Sequence, residues 1–258
     1  MKARPRSSAF TMLELVVVIG AVLIVLSIAL STIKKSRQAS WEAVCRSNLR
    51  QLGALTSLYA QDFADRAPVT EMQSKHPPSS REWRLWAIRL LYATMDSEPW
   101  LDFANLERHS PILRCPANRD DRLLDEWAVP DGDLDYVMAA SLYVDPSYFD
   151  PGLPEQTWRA RSGFGPPPMS LAAFPAQKGQ QFEHEVWHSW GREIRPPDDT
   201  LGRLEYYGAV RPGSVLFMDG HVDLVAVRDA VAPVDRYPIW PIHPFGTTPG
   251  GILGRDLK

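Results

Sequence analysis

Cysteine is scarce in this 258-residue chain. Its two residues, Cys45 and Cys115, allow at most one disulfide, which excludes a small scaffold held by a disulfide framework. A surplus of charge of one sign is missing as well. Lys and Arg number 28 against 31 Asp and Glu, a net charge of −3, and no basic stripe follows Arg66. No nucleic-acid partner is therefore expected. The chain also lacks a nucleophile elbow, a phosphate-binding glycine loop and any internal repeat.

What is present is ordinary in bulk and uneven in detail. Hydrophobic residues make up 45% of the chain and charged residues 23%, so most of it should fold, as one sizeable domain with a membrane segment or at most two small domains. Proline is abundant, at 23 residues, and falls mostly after Pro68, which argues for loops and turns over a large helical bundle. The nine tryptophans are dispersed, as packing residues of a thin core would be.

The N-terminus carries most of the information. Residues 1–9 hold Lys2, Arg4 and Arg6 and no acid, and Phe10–Ile33 is apolar apart from Glu14, Thr11 and a few small or hydroxyl residues. At ~1.5 Å per residue such a helix runs ~36 Å, enough for a bilayer core of ~30 Å. Lys34, Lys35 and Arg37 close the run, so basic residues flank it on both sides and do not orient it by themselves. As a secretory signal its apolar stretch is long, with only Ala29-Leu30-Ser31 to serve as a cleavage site. As a plain signal anchor it leaves Glu14 without a purpose, although a carboxylate inside an apolar helix costs about 2.5–3.5 kcal/mol to insert.

Ala9-Phe10-Thr11-Met12-Leu13-Glu14-Leu15 resembles the processing site of type IV prepilins, a small residue followed by Phe-Thr-x-x-Glu and an apolar helix. That resemblance implies a cut between Ala9 and Phe10 by prepilin peptidase and methylation of the new Phe10 amine. It also implies that Glu14 pairs with a neighbouring subunit's terminal amine during filament assembly, a buried charge being tolerated when an opposite charge reaches it. The family usually has Gly where this chain has Ala9.

Further along, Ile33, Trp41, Val44, Cys45, Leu49, Leu52, Leu55, Tyr59 and Phe63 recur largely at three- and four-residue steps. Residues 10 to about 65 are thus expected to be one helix, greasy on all sides at first and one-sided later, ending before Pro68. Ser79 and Glu82 offer a capping box for a second helix with Trp83, Trp86, Ala87, Leu90 and Leu91 on one side. Residues 96–175 are turn-rich, with Tyr136–Tyr143 a strand candidate. Ser214–Met218 and His221–Val225 flank Asp219-Gly220, which predicts a hairpin with a type I′ turn. The Pro- and Gly-rich end from Tyr237 is expected to wrap the surface or move.

The chain is also similar to pilin-like proteins that carry a prepilin-type processing-associated H-x9-DG domain. The matching pieces are Cys45–Leu52, Trp86–Tyr92, Arg114-Cys115-Pro116, Tyr136–Ala139 and Val215–Val222. The histidine that names the domain is replaced by Ala209, so Asp219-Gly220 is read as a structural turn.

Several residues invite sharper readings. His184-Glu185-Val186-Trp187-His188 is a literal H-E-x-x-H, but a third zinc ligand is missing where Ile194 stands, and on a strand the two histidines would lie ~13 Å apart. Asp131, Asp133 and Asp135 begin like a calcium loop, though Tyr136 and Leu142 occupy positions where an EF-hand needs Gly and Glu. Major pseudopilins often hold calcium in a head loop, so a looser calcium site stands beside a solvated acidic turn. If the head is extracytoplasmic, Cys45 and Cys115 are expected to form a bridge between helix and head, the alternative being two reduced, buried thiols. His221 is read as a surface or cross-strand packing residue.

The expected fold is α+β, a long N-terminal transmembrane and amphipathic helix packed on a small antiparallel sheet with an extra helix and loops. Its parts are a basic leader (1–9), a transmembrane and assembly half (10–33), an amphipathic half (34–66), a head (67–236) and the tail (237–258). The expected function is a non-enzymatic subunit of a pseudopilus in a type II secretion-like system, without a resident cofactor. Its partners would be prepilin peptidase, other pilin or pseudopilin subunits, the inner-membrane assembly platform and the lipid bilayer. It would be a single-pass inner-membrane protein with an extracytoplasmic head, assembled in a periplasmic or surface pseudopilus. The rival readings are a membrane-anchored zinc metallohydrolase centred on His184 and His188, and an unprocessed signal-anchored binding module.

Overall fold

A computed structural model describes residues 11–68, 98–107, 110–116, 135–143, 145–152, 166–183, 213–226, 229–232, 234 and 248–258. The chain divides into two units, Met1–Ser40 and Trp41–Lys258, and helix α1, Met12–Asp62, contributes to both.

In the first unit the helix is apolar on every side as far as Ile33, before Lys34, Lys35 and Arg37. A helix suits such a sequence because all its backbone groups bond within the segment. Its few hydroxyls do the same: Ser27 donates to the Ile24 carbonyl and Ser31 to that of Ile28 at 2.8 Å each, and Thr32 to Ile28 at 3.0 Å.

In the second unit α1 becomes one-sided. Cys45, Asn48, Leu49, Leu52, Gly53, Thr56, Tyr59 and Ala60 are its buried residues, the three- and four-residue rhythm of one helix face. Of the apolar stripe read from sequence, Ile33, Val44 and Phe63 are exposed, while Asn48, Gly53 and Thr56 occupy buried places that the stripe did not include. The helix stops at Asp62, ahead of Pro68. Ala64 and Asp65 turn left-handed, with φ of 54° and 59°. Asp65 is held there because its carbonyl accepts the Met169 amide at 2.6 Å and its carboxylate the Ser170 amide at 2.9 Å.

The sheet has four antiparallel strands in the order β1 (Tyr136–Met138), β2 (Gly179–Glu183), β3 (Gly213–Phe217), β4 (Val222–Val225). Together with α1 and a short helix α2, Glu98–Ala104, it makes an α+β fold. The distal part of α1 lies on this sheet. Leu216 of β3 packs where a Cβ on Gly53 would stand, 2.4 Å from one of its methyls, and the Gln181 amide of β2 donates to the Thr56 hydroxyl at 2.8 Å. Trp100 of α2 is fully buried and meets Tyr59 edge-on, with ring centroids 6.1 Å apart.

Three expectations are corrected. The strand over Tyr136–Tyr143 is shorter, because the chain leaves β1 after Met138 for a 3-10 turn at Ala140–Leu142. The hairpin turn is not type I′, which needs positive φ at both central residues. Gly220 alone has it, at 89°, while Asp219 is not among the left-handed residues. The Gly220 amide bonds to the Phe217 carbonyl and the Phe217 amide to the His221 carbonyl, each at 2.9 Å, so the loop has three residues and ends on a left-handed glycine. The Met218 amide bonds to the Lys178 carbonyl, which carries the strand pairing to the edge of the turn.

The third correction is the end of the chain. Residues 248–258 do not lie loosely over the surface. Ile252 and Asp256 are fully buried, and Leu257 bridges to Ala230. Gly251 has φ of 53° and abuts the Phe149 ring, which a Cβ would approach to 2.5 Å, so glycine here makes a tight, packed turn. The second helix read from Ser79 onward lies outside the described residues.

Candidate functional site

Two regions hold most of the described residues singled out from sequence. In the first unit, Thr11 and Glu14 begin α1. The Thr11 amide and hydroxyl each donate to Glu14 Oε2 at 2.8 Å, and the Glu14 amide donates back to the Thr11 hydroxyl at 3.3 Å. This is a reciprocal capping box, and it gives Glu14 a local use that the sequence reading did not find. The signal was the Thr-x-x-Glu spacing itself. Among the described residues, Glu14 Oε1 takes no hydrogen bond. Behind this cap, the large apolar residues from Leu13 to Ile33 stand at least half exposed, and α1 is long and apolar enough to cross a membrane. Ala9 and Phe10 lie outside the described residues.

In the second unit, α1 and the segment Pro111–Cys115 meet at a buried polar cluster. Cys45 and Asn48 are three residues apart and share the inner helix face. The Asn48 side-chain amide donates to the carbonyls of Pro111 and Arg114 at 3.2 and 3.0 Å, and to the Tyr136 hydroxyl at 3.3 Å. Asp135 holds the next residue, its carboxylate accepting the Cys115 amide at 2.5 Å. These two side chains bring the Cys115 sulfur to 2.6 Å from that of Cys45. Glu183 of β2 completes the group, and ligand atoms of all three lie within 4.8 Å of one another. The Glu183 carboxylate also accepts the Ser214 amide at 2.9 Å. The adjoining Cys115 sulfur, and then burial, push the Cys45 thiol far above its ordinary range, and burial pushes the Tyr136 hydroxyl up.

Two thiolates on one tetrahedral zinc, at ~2.3 Å from the metal, stand ~3.8 Å apart. Sulfurs at 2.6 Å are closer than that, nearer the ~2.05 Å of a disulfide. The sulfur spacing as it stands is nearer to a sulfur–sulfur bond than to two thiolates on a tetrahedral zinc.

The remaining candidates divide plainly. Asp135 is not a solvated turn residue, since it is buried and its carboxylate accepts the backbone amide of Cys115. Asp131, Asp133, His184 and His188 lie outside the described residues, as does Ala209. Asp219 and Gly220 join β3 to β4. Asp219 Oδ1 accepts the His221 amide at 3.1 Å and contacts its ring nitrogen at 2.5 Å, while that ring stacks on Phe217 at 4.4 Å. Asn48, Gln181 and Thr56 were not foreseen, because a polar residue inside an apolar stripe gives no local sign that a partner awaits it.

No protein-family model, curated protein or solved structure matches this chain.

Proposed function

We propose that this chain is a pilin-like subunit, processed between Ala9 and Phe10 by a prepilin peptidase, methylated at Phe10 and assembled through α1 into a pseudopilus of a type II secretion-like system. The supporting observation is the composition of α1 as a single helix. Its first part leaves apolar side chains bare on all sides, with one carboxylate in the first turn, and its later part is built into the core of an α+β head. Bare apolar surface of this extent needs lipid or other apolar helices around it. A subunit that waits in the bilayer and then bundles with its neighbours meets both kinds of surroundings in turn.

Glu14 fits that sequence of events. Its capping contacts fall on Oε2, so Oε1 is available to a second donor, and a neighbouring Phe10 amine would be such a donor. In this reading the protein is anchored in the inner membrane with its head outside the cytoplasm, and its partners are the peptidase, other subunits and the assembly platform.

The deciding measurement is the mass of the N-terminal peptide of the protein taken from its native membrane, with and without the peptidase. A peptide that begins at methylated Phe10, and is lost without the peptidase, is expected. An intact Met1 end would leave only a plain anchor, and cleavage after Ser31 would make the protein a secreted one.

A further inference from the structure

We infer that Cys45 and Cys115 form a disulfide in the finished protein, fastening α1 to the Pro111–Cys115 segment at the first place where the helix enters the core. Cys45 is the first buried residue of α1, fully enclosed, and Cys115 is 2% exposed. The two sulfurs stand 2.6 Å apart although the residues are 70 positions apart in the chain. Independent contacts produce that approach. Asn48 ties the two carbonyls of the Pro111–Arg114 turn to the helix, and Asp135 fixes the Cys115 amide. A cross-link over so long a loop removes much chain freedom from the unfolded state.

The chemistry closes with an external oxidant of the disulfide class. One cysteine thiolate attacks a sulfur of the oxidant's disulfide and displaces one of its thiolates. The second cysteine thiolate then attacks the mixed disulfide, forms the Cys45–Cys115 bond and releases the oxidant as a dithiol. Two protons leave the cysteines, and two electrons pass to the oxidant. The thiol of Cys45 is held neutral in the closed core, by Cys115 first and by burial second, so the exchange belongs to folding, before the core shuts.

The compartment in which the bond forms rests on the proposed function, since disulfides persist where the head would lie, outside the cytoplasm. Bond and compartment are separable by experiment. Full-length protein, reduced and unfolded, is refolded in detergent with a mixture of reduced and oxidised glutathione, then alkylated in denaturant. The expected product is lighter by two hydrogens, takes no alkyl group until reduced, and yields a Cys45 peptide joined to a Cys115 peptide. Two alkylated thiols, or glutathione adducts on either cysteine, would overturn the inference. A stoichiometric metal ion in the refolded protein, with both cysteines alkylated once it is denatured, would overturn it in favour of a metal site that includes Glu183. Protein from cells quenched directly in alkylating agent tests the compartment, and its N-terminal peptide reports separately on pilin processing. A bonded pair with an unprocessed Met1 end would uphold the disulfide and defeat the pilin reading.

Discussion

Single side chains carry two roles that substitution can pull apart. Glu14 both caps α1 and, in the proposed assembly, meets a neighbour's amine. Glutamine serves a capping box as glutamate does but has no charge. Glu14→Gln should therefore keep the helix start and the processing of Phe10 while incorporation into filaments falls at least tenfold, as counted from sheared-filament fractions. Wild-type incorporation in that variant would reduce Glu14 to its cap. Lys178 and Asp256 pose the buried version of the problem. Both are fully enclosed, with Nζ 2.7 Å from one carboxylate oxygen and 2.9 Å from the Thr248 hydroxyl, and the Gly179 amide donates to the other oxygen at 2.8 Å. Burial pulls the lysine below its ordinary 10.5 and pushes the aspartate above its ordinary 3.8, with each partner's charge working the other way. Lys178→Ala strands a buried carboxylate and should cost about 3–5 kcal/mol in urea unfolding, whereas Lys178→Met with Asp256→Leu should recover most of that loss. A raised aspartate contributes stability that is complete below pH 3.8 and is lost as pH rises through its folded value. A lowered lysine contributes stability that is complete above pH 10.5 and is lost as pH falls through its folded value. The stability of wild type relative to the double variant should thus decline as pH rises from 3.8 through the folded value of the aspartate, and recover as pH rises through the folded value of the lysine toward 10.5; a steady increase from 3.8 upward would show the charged pair to be net stabilising.

Among the elements, the seam between α1 and β3 is the most exposed to test. Gly53 is the place where Leu216 comes down on the helix, one methyl only 2.4 Å from where a Cβ would stand. Overpacking of this kind costs about 1–3 kcal/mol, against a gain of up to ~1 kcal/mol when alanine replaces glycine inside a helix. Gly53→Ala should therefore lower stability by about 1 kcal/mol. In the background of Leu216→Ala, itself about 2–5 kcal/mol worse, the same change should become neutral or favourable. An unchanged cost in both backgrounds would place the conflict elsewhere. The polar strand β2 is held by the same seam, since Gln181 reaches Thr56 across it and every residue of β2 is buried.

The head as a body depends on its last residues. Ile252 joins the core, Asp256 neutralises Lys178, and backbone bonds tie Asp256 to Gln177 and Val231 at 2.8 and 2.7 Å. A truncation that removes residues 249–258 takes away buried apolar surface and leaves a lysine charge enclosed without its carboxylate. For a domain whose whole stability is about 5–15 kcal/mol, that loss is expected to unfold the head. The sign would be rapid trypsin digestion of the truncated full-length protein in detergent, under conditions in which the intact chain survives. Survival of the truncated head would mean that the tail merely covers a core complete without it.

Composition and local spacing alone determined the apolar span of α1, its change to a one-sided helix, and the hairpin around Asp219-Gly220. Each of these depends on neighbours within a few positions, where hydrophobic rhythm and turn chemistry act. The Thr-x-x-Glu cap is equally local, resting on residues three positions apart. Only the folded chain decided which polar residues go inside. Asn48 finds its partners 63 to 88 positions away, Gln181 finds Thr56 at 125, and Lys178 finds Asp256 at 78. A buried polar group is tolerated when its hydrogen bonds are met, and no pattern along the chain announces a partner so far off. For the same reason a proline- and glycine-rich end resembled a loose tail, although its glycines make a turn tight enough to pack against Phe149. The meeting of Cys45 and Cys115 belongs to this second kind, since it depends on Asn48, beside Cys45 on the helix, reaching the Arg114 carbonyl 66 positions on, and on Asp135 holding the Cys115 amide.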